Sequence, residues 1–187
     1  MPAAHSSLDA IFQSGPVLLD YRDLSYNPAN DVIFPSVVRA EGLLSNPLDA
    51  YYMYYAPHDA PGGICLAHAP SIEGPWKEHA GNPLIQKDWP PHHHVGHVSA
   101  PHAIWVAEES RLFVFYHGDN DQTHYAVSQD GIGFSYGGVA LDQTDYADFV
   151  QGTYDRVFYG RVFEHRIPSQ DSRYVLLVTR SSNQGPH

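Results

Sequence analysis

The chain has 187 residues, of which 43% are apolar and 17% charged, and this balance excludes a disordered chain and a coiled coil. Its formal net charge of −11 argues against nucleic acid and anionic membrane surfaces as partners. The single cysteine, Cys65, excludes an internal disulfide and a cysteine-based zinc cluster. The 15 glycines and 15 prolines argue against long helices, and no apolar stretch is long enough to span a bilayer. The unusual features are 13 histidines and 13 tyrosines.

Short β-type runs, separated by Gly, Pro, Asn and Asp, recur along the chain. The first set of predicted strands lies at 31–39, 50–56, 63–68 and near Lys77, which follows a turn at 71–76. The same order returns in runs at 98–106, 111–117 and 123–128 and a turn at 130–134, and a third copy begins with runs at 156–163 and 173–179. Pro35 and Pro101 hold equivalent positions 66 residues apart. A four-strand unit repeated at such a period is typical of β-propeller blades.

We therefore predict an all-β fold, a β-propeller of four-stranded blades, with a β-sandwich as the alternative. One domain is expected over 1–187, with blades at about 31–85, 95–142 and, in part, 154–187. Propellers typically close with about four to eight blades, so about three blades predict an incomplete ring or a fragment. Open blade edges of this kind would favour self-association.

The N-terminal segment 1–15 lacks the basic and apolar regions of a secretory signal. The compartment is therefore unknown: a cytoplasmic location is the default expectation, and a secreted or periplasmic one would require a processed N-terminus.

Seven of the 13 histidines lie between His92 and His124. His97, His102 and His117 fall at or near strand ends, where side chains of a propeller line its pockets, and they predict a functional site. The run at 92–94 is explained as well by a solvated loop. Neutral imidazole binds several transition metals, but the spacing fits no known zinc pattern. We assign no metal ligand and no cofactor, and leave room for a structural divalent cation such as calcium.

The loop at 56–64 contains two prolines and two glycines, which predict a rigid connection holding His58 and Asp59 at the mouth of a pocket. A tight hairpin with incidental polar residues is the alternative. In the third copy, Tyr159 and Arg161 would share one side of a regular strand. Arginine binds carboxylates through two parallel hydrogen bonds, so this side suits a uronate, although Arg161 would serve equally well in a surface ion pair.

Three segments carry a family resemblance: Asp31-Val-Ile-Phe-Pro-Ser36, Tyr51-Tyr-Met-Tyr-Tyr-Ala-Pro-His-Asp-Ala-Pro-Gly-Gly-Ile64 and Glu73-Gly-Pro-Trp76. Together they resemble β-propeller enzymes that act on plant polysaccharides. The closer resemblance is to rhamnose–glucuronate lyases and histidine-dependent α-L-rhamnosidases, and the looser one is to arabinanases and β-xylosidases. It covers roughly 20–180, and the His-Asp-Ala-Pro-Gly-Gly loop is its most specific part.

The resemblance implies chemistry based on histidine, with tyrosine and arginine assisting. It implies catalytic roles for four residues: His58, His97, His117 and Tyr159. It implies substrate binding by His102 and Arg161, and we add Asp59 and Arg180 as further candidate substrate-binding residues. Because members of the family have about twice as many residues as this chain, the resemblance also implies that part of the enzyme is missing.

We expect an oligosaccharide or polysaccharide substrate, with β-elimination at rhamnosyl-glucuronate ends as the first prediction. A glycoside hydrolase is the alternative, using either His58 as a single acid/base or Asp31 with Glu73 or Asp119 as a carboxylate pair. A non-catalytic sugar-binding domain is the third possible function.

Overall fold

The computed structural model describes residues 15–145 and 156–181, which form four antiparallel sheets and a short 3₁₀ turn at Tyr21–Asp23. The first sheet contains β1 (Ile33–Arg39), β2 (Tyr51–Ala56), β3 (Cys65–Ala69) and β4 (Lys77–Glu78). A short hairpin of β5 (Asp88–Trp89) and β6 (His93–His94) follows. The second sheet contains β7 (Val98–Val106), β8 (Arg111–Gly118), β9 (Gln122–Ser128) and β10 (Ser135–Leu141). The last contains β11 (Arg156–Glu164) and β12 (Tyr174–Ser181).

Each of the two larger sheets is a meander in which every strand pairs with the next in sequence. Their first strands lie beside one another: the Ala103 N–H of β7 donates to Ser36 Oγ of β1 at 2.9 Å. On the other side of β7, His102 Nε2 donates to the Val162 carbonyl of β11 at 2.6 Å. The first strands β1 and β11 both pack against β7, as in the predicted all-β propeller, and the sandwich alternative is wrong.

The apolar run at β2 is buried because it is central in its sheet and covered on both faces. On one face Tyr52 and Tyr54 pack with residues of the second sheet, including Val114 and Tyr116. On the other face a smaller cluster of Tyr55, Cys65 and Ala67 packs against the N-terminal segment, through residues that include Leu19, Leu24 and Tyr26. Burial raises the pKa of the Cys65 thiol, so this cysteine is an inert core residue.

All three first strands contain the same irregularity. Phe34, Ala100 and Tyr159 have φ values of 53°, 54° and 56°, and the pairing register of β1, β7 and β11 shifts across each of them. A left-handed conformation is costly for residues other than glycine, and bulges re-aim side chains. The repeat seen in the sequence therefore marks a repeated backbone distortion, at Phe34-Pro35, Ala100-Pro101 and Tyr159-Gly160.

No helix in the described ranges is long and apolar enough to cross a membrane. The parts of the predicted third blade at 154–155 and 182–187 lie outside the described residues.

Candidate active site

The loop at 56–64 packs against the start of β7. A Cβ atom at Gly62, whose φ is +67°, would lie 2.0 Å from the Val98 carbonyl oxygen, so only glycine fits this approach. The Ser99 hydroxyl donates to the Pro57 carbonyl at 2.9 Å and ties the loop to β7. These contacts bring His58 from the first sheet to the end of the second, where β7 begins and β8 ends.

The turn between β8 and β9 carries Asp119 to the same place. Asp119 and Asn120 are both left-handed, a conformation that Asp and Asn tolerate better than most residues. The Asp119 carboxylate accepts hydrogen bonds from the Gly96 N–H at 2.7 Å and from the His97 N–H at 3.0 Å. Burial alone would raise the pKa of this carboxyl, but these donors hold it below its usual value.

Asp119 also orients the His97 ring. His97 Nδ1 lies 3.2 Å from Asp119 Oδ1, and an ionised carboxylate only accepts hydrogen bonds. This contact assigns the proton to Nδ1 and leaves Nε2 with its lone pair.

His117 is the central residue of the cluster. Its side chain is 2% exposed, and neither ring nitrogen has a hydrogen-bond partner in the described part of the chain. Its ring centroid lies 5.2 Å from that of His97 and 5.4 Å from that of Tyr159. Burial, assisted by the charges of His97 and His58, lowers the pKa of His117 to about 3, so the ring is neutral at ordinary pH. Two unused buried nitrogens cost roughly 1–3 kcal/mol each, which a hydrogen-bonding ligand would recover.

Two aromatic rings complete the cluster. The rings of Phe34 and Tyr159, both at left-handed bulges, lie 4.8 Å apart although they come from the first and last sheets. Phe34 also lies 6.4 Å from His58. Partial burial raises the pKa of Tyr159, so its phenol stays protonated. Sequence reasoning missed Phe34; its place before Pro35, matching Ala100 before Pro101, was the available signal.

His58 lies at the exposed rim of the cluster. Its backbone N–H donates to Asp31 Oδ1 at 3.1 Å, and its Nδ1 lies 2.9 Å from Asp59 Oδ1. The Asp59 side chain is itself largely exposed. The structure thus brings together His58, His97, His117 and Tyr159, with Asp59 at the rim and Asp119 bonded to His97; we name this group the histidine cluster.

The other three sequence-predicted residues lie elsewhere. His102 holds β7 to β11 through Val162, and burial lowers its pKa. Arg161 lies beside His102, close enough for its charge to contribute to that shift, and its Nη1 donates to the Gly160 carbonyl at 2.9 Å. The bulge between Phe158 and Arg161 interrupts the strand alternation that would have put Arg161 on one side with Tyr159. Arg180 is an exposed residue of β12.

The histidine run at 92–94 belongs to a second group of rings. His93 Nδ1 donates to the Lys87 carbonyl at 3.1 Å, and its Nε2 lies 3.1 Å from Tyr116 Oη. This group joins the β5–β6 hairpin to the second sheet and contains six residues: Trp89, His92, His93, Tyr116, His124 and Tyr136. His94 instead pairs with Asp88 at the surface. The run is thus a packed segment rather than only a solvated loop.

Two clefts open at opposite ends of the second sheet. One, of about 420 Å³, adjoins the histidine cluster and is lined partly by Asp119, Gln122 and His124. The other, of about 540 Å³, is lined by residues including Arg111 and Asp130 and contains none of the sequence-predicted site residues. We place the site at the smaller cleft because Asp119 belongs both to its wall and to the histidine cluster.

Carboxylates near the cluster are bound to backbone groups. Asp31 accepts from His58 N–H, and Asp119 accepts from Gly96 and His97. Glu73, the other candidate for a carboxylate pair, is exposed in the turn before β4. Among residues 15–145 and 156–181, no group of three or more His, Cys, Asp or Glu side chains is arranged to hold a metal ion.

The sequence matches no model of a known protein family and no curated protein. Among solved structures, a fructofuranosidase variant from Schwanniomyces occidentalis in complex with fructosylnystose matches with a TM-score of 0.56 and 12% identity. The matched region covers 79% of this chain and 28% of the fructofuranosidase chain. Exo-β-1,3-galactanase from Phanerochaete chrysosporium matches with a TM-score of 0.52 and 13% identity, covering 80% of this chain and 33% of that one. A variant of the galactanase with β-1,3-galactotriose matches with a TM-score of 0.53, 13% identity, and coverage of 84% and 35%.

The chain thus spans about a third of the length of the enzymes it matches. At this level of identity the likeness concerns the fold alone. This chain has the β-propeller fold found in these glycoside hydrolases.

Proposed function

We propose that the chain forms part of a glycoside hydrolase whose reacting groups belong to the histidine cluster. The observation that carries the proposal is the buried, unpartnered His117 ring, which lies between His97 and Tyr159 at the end of the first strands. The propeller fold shared with a fructofuranosidase and an exo-β-1,3-galactanase supports a carbohydrate substrate.

Hydrolysis of a glycosidic bond needs one group to protonate the leaving oxygen and another to take a proton from the attacking water. His97 would supply the acid through Nε2, because its Nδ1 is held by Asp119. His117 suits the role of base because it is a neutral imidazole beside His97 with unpaired ring nitrogens, toward a water bound next to it. The water oxygen then joins the anomeric carbon as the bond to the leaving oxygen breaks. The Tyr159 phenol would donate to a sugar hydroxyl.

β-Elimination from a uronate is less well supported. It requires a cation against the sugar carboxylate, and the predicted candidate, Arg161, lies beside His102 and donates to the Gly160 carbonyl. The lyase reaction therefore stays a prediction that the same experiment tests.

The test is a product assay on fructosylnystose, β-1,3-galactotriose, arabinan fragments and gum arabic, monitored for reducing ends and for unsaturated uronate absorbance. We expect reducing ends without that absorbance. His97→Ala should lower kcat/KM by at least about 100-fold, the usual contribution of acid–base catalysis. His165→Ala, an exposed histidine in the loop after β11, is the control and should be unaffected. Unsaturated products would replace the hydrolase with the lyase, and binding without turnover would indicate a sugar-binding domain.

A further inference from the structure

The cleft beside the histidine cluster is built from the turn between β8 and β9 and from the segment after β10. Its volume, about 420 Å³, lies in the range of small-ligand sites. It shares Asp119 with the histidine cluster, so a ligand there would lie next to the proposed reacting groups. The lining residues used below are six: Gly118, Asp119, Asp121, Gln122, His124 and Asp142.

From this cleft we infer a subsite that accepts an uncharged sugar residue and rejects a uronate. The inference rests on the proposed function for the reaction, but its evidence is separate. Three carboxylates, from Asp119, Asp121 and Asp142, line the cleft, and no lysine or arginine of the described residues does so. A second negative charge placed beside them would be repelled, whereas neutral hydroxyl groups would donate hydrogen bonds to them.

His124 provides a buried polar group for the ligand. Its side chain is 3% exposed, its Nδ1 lies 2.9 Å from Tyr136 Oη, and its Nε2 has no hydrogen-bond partner among the residues described. A Cβ atom added at Gly118 would lie 3.2 Å from this Nε2. Because Gly118 and His124 both line the cleft, a sugar hydroxyl bound there would pair with Nε2.

A cation is the other ligand that carboxylates suggest, but these carboxylates already have partners. Asp119 accepts hydrogen bonds with both oxygens, and Asp142 Oδ1 accepts from the N–H and the hydroxyl of Thr144. Such carboxylates retain lone pairs for hydroxyl donors. In the described ranges they do not form a group of three or more side chains that could hold a metal ion.

The test is a calorimetric titration at neutral pH, in a His97→Ala background that stops turnover. The ligands are neutral trisaccharides of arabinose, xylose and galactose and a trisaccharide carrying one glucuronate. The best neutral trisaccharide should bind at least about tenfold more tightly than the charged one. Gln122→Ala removes a lining amide and should weaken neutral binding by about three- to tenfold, the value of one hydrogen bond.

Two further variants make the test specific. Gly118→Ala places a methyl group against His124 Nε2 and should weaken binding at least as much. Gln129→Ala changes the same residue type in the opposite cleft and should leave affinity unchanged. The subsite is refuted if Gln122→Ala and Gly118→Ala, both shown by thermal unfolding to be folded, bind like their parent. It is also refuted if no neutral trisaccharide binds, or if the glucuronate ligand binds equally well.

The subsite and the proposed reaction fail separately. Hydrolysis by the unsubstituted protein, together with unchanged binding by Gln122→Ala, would refute the subsite and leave the reaction. Binding through this cleft without hydrolysis would refute the reaction and leave the subsite.

Discussion

Lowering the pH from 7 to 5 is expected to destabilise the fold through its buried histidines. His93, His102, His117 and His124 all have pKa values lowered by burial, to about 3 for His117 and about 4 for His124. Below pH 6.5 such a histidine is neutral in the native state and protonated in the unfolded state. The unfolded chain then binds one more proton, so a lower pH favours unfolding. The stabilisation is therefore complete above the unfolded-state pKa, near 6.5, and is lost as the pH falls.

The magnitude follows from the two most buried rings. Each titrating histidine lowers the free energy of unfolding by about 1.4 kcal/mol per pH unit below pH 6.5. For His117 and His124 this loss continues to about pH 4, because their native pKa values are that low or lower. Together they remove roughly 4 kcal/mol between pH 6.5 and pH 5, a large part of the roughly 5–15 kcal/mol typical of a domain.

The assay is urea unfolding at pH 7, 6 and 5, followed by tyrosine and tryptophan fluorescence. His124→Phe keeps an aromatic ring stacked on Tyr116 but cannot titrate, so the slope of stability against pH should fall by about 1.4 kcal/mol per pH unit. Gln129→Ala is the control and should keep the parental slope. A free energy of unfolding that is constant or rises between pH 6.5 and pH 5 would refute the reasoning.

Three further variants test individual contacts. Gly62→Ala should lower the free energy of unfolding in urea by about 3 kcal/mol or more, because its Cβ would meet the Val98 carbonyl. The control Gly42→Ala, with φ of +79° and open space around it, should lower it by only about 1 kcal/mol. Equal losses would contradict the close approach. Asp119→Asn should lower kcat about 10- to 100-fold, because His97 Nδ1–H loses its charged acceptor; an unchanged kcat would show that Asp119 does not orient His97. Tyr159→Phe should leave stability within about 0.5 kcal/mol, because the ring contacts persist, and should lower kcat/KM; wild-type kinetics would remove the phenol from the site.

The repeated strand signals were sufficient to predict most strands of the two larger sheets and their order, because hydrophobic runs and turn residues are local properties of the chain, but the β5–β6 hairpin was expected to be a loop. The sequence also indicated that His97 and His117 lie at or near strand ends and that His58 lies in a loop at the mouth of a pocket. It did not reveal the left-handed bulges, because a bulge depends on pairing between strands. Arg161 was therefore expected on a regular face that β11 does not have at that point. Phe34 was missed because its contact with Tyr159 joins two sheets that are distant in sequence.

The central claim, hydrolysis at the histidine cluster, is tested most directly by mass spectrometry of products formed in ¹⁸O-labelled water. Hydrolysis adds one water across the broken bond, so we predict saturated products in which a new hydroxyl carries one ¹⁸O atom. His97→Ala should abolish this labelled product, and His165→Ala should not. An unsaturated product without label would contradict hydrolysis and indicate β-elimination, and labelled product formed at an undiminished rate by His97→Ala would place the reaction outside the histidine cluster.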